Sequence, residues 1–122
     1  MLSDLLFYFG LSLLMAHELD AVKRHEWRIF PGLSNLEEKV AYRLFIVFHL
    51  PLFVLIFWLL SSPSQVVRFW FQLSLDIFFM IHLGLHHLFK SNEKYEFTQP
   101  FSKMLIQLMA FTGLVHLILL LL

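Results

Sequence analysis

The sequence predicts an all-α integral membrane protein whose four transmembrane helices form one bundle, a single domain over residues 1–122. Of its 122 residues, 59% are hydrophobic and only 15% are charged, which is far more apolar than a soluble domain of this size. Four apolar stretches are each close to the ~20 residues that an α-helix needs to cross the hydrocarbon core of a bilayer. No stretch alternates as a barrel strand does, so helices are the spanning elements.

The predicted spans, in chain order, are residues 2–21, 42–60, 66–89 and 101–122. Residues 34–37 and 62–65 fit capping boxes, the second with proline at the first helical position. The second helix should therefore begin near Asn35, outside its span, and a tight turn should make the second and third helices antiparallel neighbours. Thr98, ahead of Pro100, marks the expected start of the fourth helix. Pro51 lies inside the second helix and should bend it.

Basic residues are distributed unevenly among the three connections. Those that flank the first and third are Lys23, Arg24, Arg28, Lys39, Arg43, Lys90, Lys94 and Lys103. Only Arg68 lies near the second connection. The positive-inside rule therefore predicts that the first and third connections are cytoplasmic and that both termini lie outside. Because the N-terminus has no early Lys or Arg and no small-residue cleavage pattern, the first helix is expected to be retained.

Several classes of function are excluded by residues that the chain lacks. It contains no cysteine, so disulfides, thiolate metal ligands and cysteine nucleophiles are excluded. It has no phosphate-binding loop, serine triad or nucleic-acid-binding pattern. The expected partners are therefore the lipid bilayer and a hydrophobic small molecule, and no nucleic acid.

Ionisable side chains inside the predicted spans are the strongest indication of function, because they are costly in lipid. They include His17, Glu18, Asp20, His49, His82 and His86. At 1.5 Å per residue, four of them lie roughly 9–11 Å from the cytoplasmic boundary: His17, Glu18, His49 and His82. Asp20 and His86 lie about one turn nearer to that boundary. His82 and His86 share one helix face, as His17 and Asp20 do. Three helices thus bring imidazoles and carboxylates to similar depths.

This set predicts a transition-metal site, with Zn or Fe as the ion. The expected ligands are His17, Asp20, His49, His82 and His86. Glu18 or Asp20 would act as general base for a water at the metal, or a redox metal would activate oxygen, in an enzyme that acts on a lipid or other hydrophobic substrate. Two alternatives stay open: polar contacts that only hold the helices together, and a haem with axial ligands chosen from His17, His49 and His82.

A second polar group lies deeper in the predicted membrane, about 18–21 Å from the cytoplasmic boundary. It includes Asp76 and His116. A carboxyl group at this depth should be neutral or paired with the histidine or a hydroxyl, either as a structural contact or as a proton relay. The relay alternative predicts a small proton-coupled transporter subunit, which would require a homo-oligomer because four short helices enclose little space.

Two local patterns resemble known families. Residues 82–87 read His-Leu-Gly-Leu-His-His and resemble the H-x-x-x-H-H box of membrane fatty-acid desaturases and hydroxylases, which implies iron binding. Residues 17–21 read His-Glu-Leu-Asp-Ala, followed by His-Glu-Trp-Arg at 25–28 and by Pro31. This arrangement is similar to small uncharacterised bacterial four-helix membrane proteins, including those named for a His-x-x-Glu-Glu motif, although Asp20 and Ala21 replace the two glutamates here. That resemblance implies a bacterial inner-membrane location and no known activity.

Overall fold

A computed structural model describes the whole chain, Met1–Leu122, as four long helices without strands. They are α1 (Leu2–Lys23), α2 (Glu38–Leu60), α3 (Gln65–Phe89) and α4 (Pro100–Leu121), with a 3₁₀ turn at Glu26–Arg28 between α1 and α2. All four helices are long and apolar enough to cross a membrane. The all-α prediction with four membrane-length helices is confirmed.

Two predicted helix starts were wrong. The predicted capping box at 34–37 does not form, and α2 begins at Glu38 without a side-chain cap. Gly32 has a positive φ of 91°, a conformation that favours glycine and ends regular structure, and Leu33 is buried in the core. The segment before α2 therefore packs as turns. In α4, Pro100 is the first helical residue and Gln99, not Thr98, is the N-cap.

The start of α3 follows the prediction in part. Ser64 is the N-cap, and its hydroxyl accepts a hydrogen bond from the Val67 amide at 3.4 Å. Pro63 precedes the cap, so it is not the first helical residue as predicted. The connection between α2 and α3 is nevertheless the expected short turn, because α2 ends at Leu60 and α3 begins at Gln65.

Helices α1, α3 and α4 form the closely packed part of the bundle around the fully buried Phe79. A Cβ atom on Gly113 would lie 3.0 Å from the Phe79 ring and 3.2 Å from the Asp76 carbonyl oxygen. A Cβ on Gly10 would lie 3.1 Å from the same ring. Small residues let helix backbones approach closely where apolar burial gives no driving force in lipid. These two glycines therefore allow α1 and α4 to close on α3.

Helix α2 packs more loosely than the others. Its buried residues are Ala41 and Phe45 near its start and Ile56 near its end. The first two pack in a cluster with Trp27, and Ile56 packs in a separate cluster that includes Phe79. Helix α2 is thus held at two places along its length, and the residues between them border a chamber next to α3.

Candidate metal site

A reversal of the chain after α1 brings a loop carboxylate back over the end of the bundle. Helix α1 ends at Lys23, and His25 adopts the left-handed conformation with φ 53°, which turns the chain sharply. Glu26 follows directly and is buried. Trp27, the next residue, is buried in the cluster with Phe45, so its packing fixes the position of the turn.

The candidate centre consists of four buried side chains from α1, the 3₁₀ turn and α3. They are His17, Glu26, His82 and His86, and one potential ligand atom of each lies within 4.8 Å of the others. The Nε2 atom of His82 lies 2.8 Å from His17 Nε2 and 3.2 Å from His86 Nε2. Glu26 Oε2 lies 4.0 Å from His17 Nε2, and Glu26 Oε1 lies 3.8 Å from His86 Nε2.

The protons of these side chains cannot satisfy all of their contacts. An imidazole nitrogen carries either one proton or one lone pair, so His82 Nε2 can complete only one of its two contacts with nitrogen. Glu26 Oε2 is buried and has no hydrogen-bond partner. A buried acceptor without a partner is costly. A cation would accept all three nitrogen lone pairs and the carboxylate oxygen at once.

The donor set fits a first-row transition metal. Imidazole and carboxylate are ligands of zinc and iron, and zinc takes them in tetrahedral geometry. With bonds of about 2.0–2.1 Å, the ligand atoms of a tetrahedral ion lie roughly 3.3 Å apart. The distances between neighbouring ligand atoms of the four side chains run from 2.8 to 4.0 Å, on both sides of that value. Small side-chain movements would therefore suffice to bind an ion.

The residues around the centre orient its histidines. His86 Nδ1 lies 3.1 Å from the hydroxyl of Tyr95, so a proton on Nδ1 leaves Nε2 free for an ion. Burial, and after it the charge of Glu26, raises the pKa of Tyr95 to about 12, so the hydroxyl stays protonated. Phe97, which is fully buried, packs on the rings of His17 and His86. His17 Nδ1 has no hydrogen-bond partner.

The surroundings of Glu26 also shift its pKa. Burial, and after it the charge of Glu18, raises the pKa of Glu26 to about 8. A bound cation would favour the ionised carboxylate instead. Glu26 was missing from the predicted ligands because it lies outside the predicted spans, where counting residues from a membrane boundary gives no information about a loop that folds back.

Two residues predicted as ligands lie outside the centre. Asp20 Oδ1 is 3.4 Å from Arg24 Nε, which in turn donates to the Ser102 hydroxyl at 3.2 Å. His49 pairs with Glu18, with 2.7 Å between Nε2 and Oε2. The structure therefore brings together His17, His82 and His86 of the predicted set. It separates Asp20 and His49 from them.

The geometry of the Glu18–His49 pair requires a proton between its two side chains. His49 Nδ1 contacts the Phe45 carbonyl oxygen at 2.6 Å, and since a carbonyl only accepts, Nδ1 carries a proton. The short contact between His49 Nε2 and Glu18 Oε2 then requires a second proton between those two atoms. Glu18, the predicted general base, thus shares a proton with His49, whereas Asp20, the other predicted base, pairs with Arg24.

A chamber of about 550 Å³ joins the candidate centre to the Glu18–His49 pair. Glu26, His82 and His86 line it together with that pair, and most of the other lining residues are apolar. Among the latter are Phe48, Leu52, Phe78 and Leu85, which are all exposed in part, as are Phe30 and Pro31 of the loop before α2. The chamber therefore opens between α2 and α3, next to this loop.

The deeper polar pair is separate from this chamber. His116 Nδ1 lies 2.6 Å from Asp76 Oδ2, and each side chain is only 1% exposed. The predicted pairing of these residues is confirmed. It links α3 to α4 beside the ring of Phe7, whose centroid is 5.2 Å from that of His116.

The fold and the site define a class: a bundle of four membrane-length helices with a buried His/Glu group that could hold a metal ion. The chain belongs to the family of unknown function DUF6713, which it matches over residues 3–122. Neither a curated protein nor a solved structure matches it.

Proposed function

We propose that this protein is an integral membrane metalloprotein that binds one Zn or Fe ion through His17, Glu26, His82 and His86. The observation that carries the proposal is the convergence of three Nε2 atoms beside a buried carboxylate oxygen that lacks a partner. With both termini outside, as the basic residues favour, the centre lies at the cytoplasmic end of the bundle, in a bacterial inner membrane.

We further propose that the ion serves catalysis on a hydrophobic substrate. A bound ion supplies Lewis acidity, or oxygen activation if it is redox-active. Glu18 and His49 share a proton and line the same chamber, so they can exchange a proton with a molecule inside it. The support is the common chamber, because a purely structural centre would need no cavity beside it.

The geometry favours this proposal over the haem alternative. Axial ligands of a haem lie on opposite sides of the macrocycle, whereas His17 Nε2 and His82 Nε2 are 2.8 Å apart, which leaves no room for a porphyrin between them. His49, the third haem candidate, is held by Glu18 and by the Phe45 carbonyl. The proton-relay alternative has less support as well, because Asp76 and His116 line no part of the chamber.

Elemental analysis of protein purified without chelators tests the metal proposal directly. The expected result is one transition-metal ion per chain, with X-ray absorption showing imidazole ligands. His82→Ala should lose the ion, because His82 Nε2 contacts both other imidazoles. His87→Ala is the matched control, since His87 is exposed on the same helix and outside the centre. A metal-free protein whose stability does not change on adding Zn or Fe would refute the proposal.

A further inference from the structure

We propose that the chamber between α2 and α3 binds a single-chain acyl lipid, which enters sideways from the membrane with its carbonyl or carboxyl head at the His/Glu centre. This inference rests on the proposed metal function and names the substrate class of the same site. It follows from the distribution of polar groups in the chamber, from where the chamber opens, and from its charge and size.

The lining of the chamber is amphipathic in the way a lipid molecule is. Its polar groups are those of the centre and of the Glu18–His49 pair, and the remaining side chains are chiefly aromatic or aliphatic. Ligand pockets usually combine such an apolar lining with a few polar groups that orient the ligand. A long apolar chain with one polar end matches that arrangement.

Between α2 and α3, the opening is bordered by apolar side chains that would contact lipid chains in a bilayer. Phe48 on α2 is 56% exposed and Leu85 on α3 is 41% exposed, and both line the chamber. Helix α2 is anchored near Phe45 and near Ile56, so the residues between the anchors border a gap. In a membrane, lipid chains cover this exposed surface, and a chain can pass into the chamber without crossing water.

Charge and volume select the kind of lipid. No Lys or Arg lines the chamber, so a phosphate head would lack the basic partners that usually bind it. A carbonyl or carboxyl oxygen needs less, because it can contact an ion at the centre directly. At about 550 Å³, the chamber is in the range of pockets for single small ligands, which suits one chain better than a diacyl lipid.

Photolabelling of the full chain in phosphatidylcholine nanodiscs tests this inference. The probe is a palmitic acid analogue with a diazirine in its chain, and labelled positions are located by mass spectrometry. We expect labels on buried residues that line the chamber, such as Phe45 and His82, and we expect unlabelled palmitate to suppress them. Labels on the outward-facing Val54, which does not line the chamber, should persist under the same competition.

Two variants on one helix make the test specific. Leu85→Trp fills the chamber and should lower competable labelling by about tenfold, the effect of about 1.4 kcal/mol of overpacking. Leu88→Trp adds the same side chain on a lipid-facing position of α3, 68% exposed, and should leave labelling unchanged. A hydrocarbon probe without the carboxyl group should label the chamber less than the acid does.

The outcomes separate this inference from the proposed function. If the protein holds its metal but the chamber shows no competable labelling, or if both tryptophan variants behave alike, the lipid assignment is wrong and the metal site stands. If the protein binds no metal, the proposed function fails, whatever the labelling. Crosslinks between two copies of the chain through the chamber residues, with the probe excluded, would overturn the lipid assignment in favour of a helix of a second copy.

Discussion

Exchange of the Glu26 carboxylate for an amide distinguishes the centre seen in the structure from the ligand set predicted by residue spacing. The structure places Glu26 with the three histidines, whereas the spacing predicted Asp20 in that role. Glu26→Gln keeps the size of the side chain and removes its negative charge. Asp20→Asn makes the same change at the other carboxylate, so the two variants form a matched pair.

The distances indicate how large the effect should be. The Glu26 oxygens lie 3.8 Å from His86 Nε2 and 4.0 Å from His17 Nε2. Ligands on a tetrahedral ion lie roughly 3.3 Å apart, so a Glu26 oxygen must move closer to the imidazoles to bind, within a group whose ligand atoms already lie within 4.8 Å of one another. Loss of a group that merely orients a ligand already lowers metal affinity by about 10–100-fold. Loss of Glu26 itself should cost at least that much.

For Asp20→Asn we expect almost no change in affinity, because Asp20 pairs with Arg24 instead. Affinities for Zn are measured by competition with a coloured chelator, on protein in detergent at constant pH. Circular dichroism of each variant shows whether the helices remain folded. Equal loss in both variants, or a larger loss in Asp20→Asn, would refute the assignment of Glu26 to the centre.

Three further predictions concern the rest of the bundle. His116→Ala should keep the metal, since the deeper pair is separate from the centre. It should lower the free energy of unfolding by about 1–3 kcal/mol, because it leaves the Asp76 carboxyl buried without a partner. Metal analysis checks the first expectation and denaturant unfolding the second. Gly113→Ala should lower the free energy of unfolding by about 1–3 kcal/mol through overpacking against α3. Gly84→Ala should raise it by about 0.5–1 kcal/mol, because a Cβ there meets nothing within 4 Å. The same unfolding assay compares the two variants. Reporters fused at the C-terminus and inserted at Ser64 should both be outside, and cytoplasmic activity of either would reverse the predicted orientation.

The class of fold and much of the chemistry follow from the pattern of residues along the chain. Apolar runs of membrane length leave only helices as spanning elements, because backbone polar groups must be satisfied within the segment. The spacing of His82 and His86 puts both on one helix face, and the structure has their Nε2 atoms 3.2 Å apart. The pairing of Asp76 with His116 was one of the alternatives that the sequence predicted, since an isolated carboxylate in lipid needs a partner or must be neutral.

The identity of the carboxylate that joins the histidines depends on how the helices and the loop after α1 pack together. Residue spacing puts His17 and Asp20 on one face of α1, so it could not show that Asp20 turns to Arg24 whereas His17 turns to the centre. Glu26 reaches the centre because His25 reverses the chain in the left-handed conformation, a backbone event that has no periodic pattern. The chamber likewise depends on the packing of α2 at two separate places, which residue spacing within one helix does not encode.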